Sequence, residues 1–361
     1  MPDPSPLDFI KPEVRSASAY TLKYLAADVK LDQNENPHEI PEFLKQKVAM
    51  RFHELEWCRY PEFVPERITL ALSRFTGWIS DGILIGNGSN ELIQATMIAT
   101  LGPGRTVAIP QPTFTLYTLM AGAMGATITP VPLTDTLGFD VPRLIEAARV
   151  ADVLILCSPN NPTGSLLLLK DLEKVLLAAR GLVIVDEAYH EFSGQTALPL
   201  LRRFRNLIVL RTFSKAMGLA GLRFGYMMAP VDLTREIAKV KLPYNVNVFT
   251  LTAAEVLMDA AYAMEGSIRA LVVERQRLIE ELAEVEGVEP FPSHANFVLF
   301  RTPHPADIVF QKLYEEGVLI RNVSHYPMLE RGLRVTVGTS DQNRRFLEKL
   351  ELVLQRIVEG V

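Results

Sequence analysis

"NLIVLRTFSKAMGLAGLRFGYMMAP", residues 206–230, decides how this chain is read. It opens as an apolar run and passes into a segment carrying hydroxyls, glycines, two arginines and one lysine. Lys215 stands alone there, with Thr212, Ser214, Gly218, Gly221 and Arg223 close by. A lysine at the edge of a buried sheet is costly without a partner or a task, because burial strips water from its ammonium. On this stretch alone, a solvated surface lysine remains the commoner alternative.

Working outward, four more runs share the same character: "ILIG" (83–86), "TVAIP" (106–110), "DVLILCSP" (152–159) and "LVIVDE" (182–187). They are continuously apolar rather than alternating, as strands buried on both faces are. Helical patterns lie between and before them, such as "DLEKVLLAAR" (171–180) and the spacing of Ile68, Ala71, Leu72 and Phe75, stopped by Gly77. The pattern predicts a doubly wound α/β domain with a mostly parallel sheet. After about Tyr244 it changes. A helical stretch over roughly 250–286 precedes "ANFVLF", "VLIRN" and "LRVTVGT". A closing helix then carries Phe346, Leu347, Leu350, Val353, Leu354 and Ile357 on one face. This predicts a smaller α+β domain. The organisation expected is an arm over 1–34 joining the small domain, a large domain over 35–244 and the small domain over 245–361. A ligand crevice belongs between the domains, at the C-terminal ends of the large domain's strands.

Bulk properties narrow the function. The 361 residues are 48% hydrophobic and 22% charged with a net charge of −5, which disfavours nucleic acid or an anionic membrane as main partner. Two cysteines, Cys58 and Cys157, are too few for a disulfide framework and read as packing residues. The opening "MPDPSPLDFIKPEVR" has no apolar signal core, and no run approaches about 18 apolar residues, so a reducing cytoplasm is expected. The six histidines form no H-x₃-H or HExxH pattern, and no metal is assigned.

Polar clusters follow the strands. In "GNGSNE" (86–91), glycines before a helix offer backbone N–H groups to an anion, although a strand-to-helix turn with Ser89 or Asn90 as N-cap explains it as readily. "CSPNNPTG" (157–164) is by itself turn chemistry. In "VDEAY" (185–189), Asp186 needs a partner, either a structural cation or a cationic cofactor nitrogen. Together, a phosphate cradle, a carboxylate for a ring nitrogen, hydrogen-bonding Asn and Tyr, and a lysine flanked by hydroxyls and an arginine describe a pyridoxal 5′-phosphate site.

The ordered set "NENP", "RYP", "GSNE", "SPNNPTG", "DEAYHEF", "RTFSKAMGLAGLRFGY" and "LRVTVGT" resembles the fold-type I pyridoxal-phosphate-dependent aminotransferases, and most closely the histidinol-phosphate aminotransferases. The similarity runs from about Ser18 to the closing helix. It implies that Lys215 holds the cofactor covalently and shuttles a proton, and that Asp186 pairs with the pyridinium nitrogen. Asn161 and Tyr189 would hydrogen-bond the ring's 3-oxygen. Phe114, in "QPTFTLY", would stack on the ring, with ordinary packing as its alternative. Ser89 and Asn90 by their backbone, and Thr212, Ser214 and Arg223 by side chain, would take the cofactor phosphate. Asn90 stands where many relatives have aspartate, which leaves its hydrogen bonding open.

The resemblance extends to partners and substrates. Tyr60, in "CRYPE", would reach the phosphate of a neighbouring subunit's cofactor, so a homodimer is implied. Arg334 and Arg321, 13 residues apart, with Tyr20 of "SASAY", would grip the substrate phosphate. A surface arginine is the alternative for Arg321. The activity implied is transamination between L-histidinol phosphate and 2-oxoglutarate. Its rivals are an aromatic or broad-specificity aminotransferase and a threonine-phosphate decarboxylase. A regulatory pyridoxal-phosphate domain is disfavoured, because the chain has no basic recognition helix.

Overall fold

The apolar runs become the centre of one large sheet. The structure, a computed structural model, describes residues 5–19 and 25–359. In chain order the strands are β1 (Val29–Lys30), β2 (Ile83–Asn87), β3 (Thr106–Gln111), β4 (Thr127–Pro132), β5 (Val153–Cys157), β6 (Leu182–Asp186), β7 (Leu207–Thr212) and β8 (Phe224–Met228). They continue as β9 (Glu289–Pro290), β10 (Phe297–Arg301), β11 (Val318–Leu319), β12 (Arg321–Asn322) and β13 (Gly332–Thr336). The large sheet has the order β2-β8-β7-β6-β5-β3-β4. From β7 to β4 it is parallel, and β8 runs antiparallel to both its neighbours.

Every residue of β5, β7 and β8 is buried. Successive side chains point to opposite faces and feed two separate cores. Leu154, Leu156, Val183, Val185, Leu207 and Val209 join one, while Val153, Ile155, Cys157, Ile184, Ile208 and Leu210 join the other. This explains the missing alternation in the sequence, since both faces are covered. The same period of two sends Asp186 and Glu187 to opposite faces. Glu187 makes a buried ion pair with Arg211, Nε to Oε2 at 2.9 Å.

The sequence reading needs three corrections here. β4 is a polar edge strand with only Val131 buried, and gave no apolar signal. β8 grows from the segment behind Lys215 and was not foreseen as a strand. The helical stretch over roughly 250–286 is two helices, Val248–Asp259 and Tyr262–Glu284. Ala260 leaves helical geometry at φ −127°, and no proline or glycine marks the break.

Four of the remaining six strands form an antiparallel sheet, β12-β13-β10-β9, on which the helix Ser340–Glu359 packs Phe346, Leu347, Leu350, Val353 and Leu354. β1 pairs in parallel with β11, Val29 opposite Val318. These two form a separate pair, beyond which Leu31 accepts a bond from Thr336 of β13 while Gln33 and Asn36 bond to Lys215 and Ala216 beyond β7.

Candidate active site

A cavity of about 250 Å³ lies where the C-terminal ends of β5, β6 and β7 meet the small sheet. Its floor is Asp186, the last residue of β6 and 3% exposed. Tyr117 Oη donates to Asp186 Oδ2 at 2.7 Å, and the Ala188 amide donates to Oδ1 at 3.0 Å. Burial outweighs these donors and pushes the carboxyl up to about 6, with a smaller push from Glu187. A cationic group placed against Asp186 would reverse that penalty. Cys157 sits opposite it in the β5–β6 register, its thiol pushed up by burial.

Lys215 follows β7 by three residues and is half-buried. Its Nζ donates to the carbonyl of Gln33 at 2.8 Å. Desolvation first, then the charge of Arg334, bring its amine down to about 8. A lysine so placed is a nucleophile and a proton carrier near neutral pH.

Beside Lys215 lies an anion cradle. Arg223, at φ 58°, donates from Nη1 to Ser214 Oγ at 3.2 Å, and Thr212 Oγ1 donates to the same oxygen at 2.9 Å. The helix Ser89–Thr100 begins here, and its N-cap is Gly88 at φ 77°, not Ser89 or Asn90 as the sequence suggested. The reason is steric. A Cβ on Gly88 would lie 2.4 Å from Arg223 Nη2, and one on Gly225 would lie 2.3 Å from the Ser89 nitrogen. The two glycines let β8, Arg223 and a helix N-terminus converge, leaving backbone N–H groups and a guanidinium on one spot.

The opposite wall comes from the small sheet and from the segment after β1. Arg334 on β13 donates from Nη1 to Asn161 Oδ1 at 2.6 Å and from Nη2 to the Asp32 carbonyl at 2.7 Å. Arg321 on β12 stands directly opposite Arg334 in register. Tyr189 Oη accepts from Asn34 Nδ2 at 3.0 Å, and burial raises its phenol. Asn34 is buried at φ 54° and is held by Thr336 and Asn296. Phe114 caps the start of the helix Thr115–Ala123 and meets Tyr117 edge-on at 5.6 Å. Tyr326, from the β12–β13 connection, lies 2.7 Å from Thr115 Oγ1 and links the two walls.

Twelve expected residues therefore line one cavity: Ser89, Asn90, Phe114, Asn161, Asp186, Tyr189, Thr212, Ser214, Lys215, Arg223, Arg321 and Arg334. Tyr60 does not; it is 81% exposed and stacks on Tyr244 at 4.6 Å. Tyr20 lies outside the described residues. Sequence reading missed Gln33, Asn34, Tyr117 and Tyr326, which also line the cavity. "NENP" and the three-residue step from Phe114 to Tyr117 were the available signals. The cavity fits the pyridoxal 5′-phosphate expected from the sequence: a buried carboxylate for a cationic ring nitrogen, an anion cradle, an aromatic wall and a low-pKa amine.

The sequence profile of the family described as aminotransferase class I and II matches residues 26–350. A histidinol-phosphate aminotransferase from Chlorobium phaeovibrioides is 41% identical over 347 residues, covering 95% of this chain and 96% of that protein. The chain belongs to the histidinol-phosphate aminotransferase family. A second member, from Chlorobaculum tepidum, is 42% identical over 328 residues, 90% of this chain and 94% of its own. The crystal structure of the histidinol-phosphate aminotransferase from Clostridium acetobutylicum superimposes with a TM-score of 0.84 at 26% identity, over 91% of this chain and 99% of that one. The family assignment gives the chain the fold-type I architecture that its large sheet displays. Among the described residues, no helix is long and apolar enough to cross a membrane, and no cluster of three or more His, Cys, Asp or Glu could hold a metal ion.

Proposed function

We propose that this chain transfers the amino group of L-histidinol phosphate to 2-oxoglutarate, giving imidazole acetol phosphate and L-glutamate in histidine biosynthesis. The observation that carries this reading is the cross-strand pair Arg321–Arg334 on the wall of the cavity that holds Lys215. Two guanidinium forks suit a dianionic phosphate, and the same two suit the separate carboxylates of 2-oxoglutarate.

Pyridoxal 5′-phosphate, once held here, supplies an electron-accepting ring and the aldehyde carbon that carries the amino group. In this reading Lys215 would hold it covalently and, once released, would carry the proton taken from the substrate Cα. Asp186 keeps the ring nitrogen cationic. Asn161 and Tyr189 would hydrogen-bond the ring's 3-oxygen, Phe114 would stack on the ring, and Thr212, Ser214, Arg223 and the Ser89 and Asn90 amides would hold the cofactor's phosphate. Arg334, already bonded to Asn161, ties recognition of the substrate anion to the group that positions the ring.

The reading extends to assembly. Tyr60 is donated to the site of a second copy in a homodimer, and Tyr20 assists at the substrate phosphate. Support comes from the exposed apolar surface around Tyr60, where Trp57, Phe63 and Val64 are each more than 60% exposed. Residues 35–244 act as the cofactor-binding domain, and the arm 1–34 moves with the small domain 245–361, a division supported by the β1–β11 pairing. The compartment is the cytoplasm; the free thiols Cys58 and Cys157 accord with it.

The test is a single half-reaction followed by cofactor absorbance. Histidinol phosphate, phenylalanine and threonine phosphate are each mixed with the loaded protein. Fast conversion by histidinol phosphate alone is expected. Equal conversion by phenylalanine would make it a broad aromatic aminotransferase. Carbon dioxide release from threonine phosphate would make it a decarboxylase.

A further inference from the structure

Beneath the proposed cofactor site lies a buried phenol without a part in that scheme. Tyr117 is wholly buried, in the first turns of the helix Thr115–Ala123. Its hydroxyl donates to Asp186 Oδ2 at 2.7 Å, while its ring takes Phe114 edge-on at 5.6 Å. Burial first, then the charge of Asp186, raise its phenol well above the ordinary value. The group therefore remains a donor throughout the working pH range.

We propose that Tyr117 is a positioning residue that keeps Asp186 ionised and aimed at the cofactor's ring nitrogen. The inference rests on the assignment of Asp186 to that nitrogen. Asp186 needs such help. It is 3% exposed, and Glu187 follows it in sequence. Desolvation drives such a carboxyl towards its neutral form, which would donate to a ring nitrogen instead of stabilising its cation. Two donors resist this, and they divide the labour. The Ala188 amide takes Oδ1 and is fixed by the backbone, whereas Tyr117 takes Oδ2 and arrives from another helix. A carboxylate pinned at both oxygens cannot rotate, so the in-plane lone pairs left over keep one direction. Glu187, on the other sheet face, is paired with Arg211 at 2.9 Å, and its push on Asp186 is the smallest of the influences there. The contact between Tyr117 and Phe114 adds a second effect: one side chain sets the height of the floor and the seat of the aromatic wall.

The experiment compares the affinity of the apoprotein for pyridoxal 5′-phosphate with its affinity for the analogue that has carbon in place of the ring nitrogen. Wild type, Tyr117→Phe and Asp186→Ala are titrated by quenching of protein fluorescence. A charge-assisted hydrogen bond lost at Asp186 should cut the preference for the nitrogen-containing ring by roughly ten- to a hundred-fold in Tyr117→Phe. Affinity for the carbon analogue should change little. Equal losses for both rings would mean that Tyr117 only packs, and would overturn the proposal. Should Asp186→Ala itself leave the preference unchanged, the assignment of Asp186 falls first, and Tyr117 loses its reason with it. In the loaded protein, Tyr117→Phe should also shift the pH profile of the cofactor's visible absorbance, which a purely structural hydroxyl would not do.

Discussion

The two walls of the cavity are built in different ways. The cofactor side comes from the ends of adjacent parallel strands. Asp186, Thr212, Ser214, Lys215 and Arg223 fall within 38 residues of one another, on or just beyond β6 and β7. The substrate side is assembled from remote segments: the Asn34 amide meets Thr336 across a separation of 302 residues, and Arg334 meets Asn161 across 173. A strand end fixes its next few residues through the sheet register. A wall made of three segments has no such frame and is held by side-chain bonds between them. In the function proposed above, chemistry falls to the side framed by one sheet and selection to the side assembled from remote segments.

The largest expected effect breaks the cofactor side. Lys215→Ala should leave a folded protein that binds the cofactor but loses several orders of magnitude in turnover, because nucleophile and proton carrier vanish together. Borohydride reduction followed by mass spectrometry should place the cofactor on Lys215 in the wild type; a label on another lysine would sink the assignment. The same lysine sharpens the contrast through pH. An amine at about 8, against an ordinary 10.5, is neutral several hundred times more often near pH 7, a factor of roughly ten per unit. The rate of cofactor attachment to apoprotein should therefore rise with pH and level off above about 8. A rise continuing past 10 would show that the site does not lower its amine.

On the substrate wall the effects should be smaller and selective. Arg321→Gln should lower kcat/KM for histidinol phosphate by roughly ten- to a hundred-fold, with little change for phenylalanine. Equal losses for both donors would detach Arg321 from the phosphate. Tyr60 tests the boundary between copies. Mixed dimers of Tyr60→Ala and Lys215→Ala should regain activity, since one site then holds both native residues. No recovery on mixing would place Tyr60 in its own subunit's site or in none. The smallest effect belongs to Tyr326→Phe, which loses the Thr115 contact between the walls and should cost a few-fold, mainly in KM. A loss as large as that of Lys215→Ala would contradict the division of labour drawn here.

Much of the cofactor side could be read from the chain. Continuous apolar runs followed by small and polar residues are what parallel strands look like when both faces are covered, and their ends are where such sheets bind ligands. Joined to the family resemblance, that pattern places Asp186, Asn161, Lys215 and Arg223 in one site. It failed where the signal was not local. β4 is polar because it lies at an edge, the break at Ala260 carries no helix-stopping residue, and Gly88 rather than Ser89 became the N-cap because Arg223 crowds it from 135 positions away. Tyr117 carries no local mark of its role, since nothing nearby in the sequence says that Asp186 lies against its hydroxyl.

By itself the sequence determined the fold class, the strand ends, the lysine with its neighbouring hydroxyls and arginine, and the resemblance that names the family. Hydrophobic periodicity and turn chemistry act over a few residues, and a linear chain records them directly. The tertiary structure alone decided that Asn34 holds Tyr189, that Gln33 accepts from Lys215, that Arg334 reaches Asn161, and that Tyr117 pins Asp186. Each joins segments whose only link is burial in the same core. Hydrogen bonds there are chosen by which polar groups the packing has left without water.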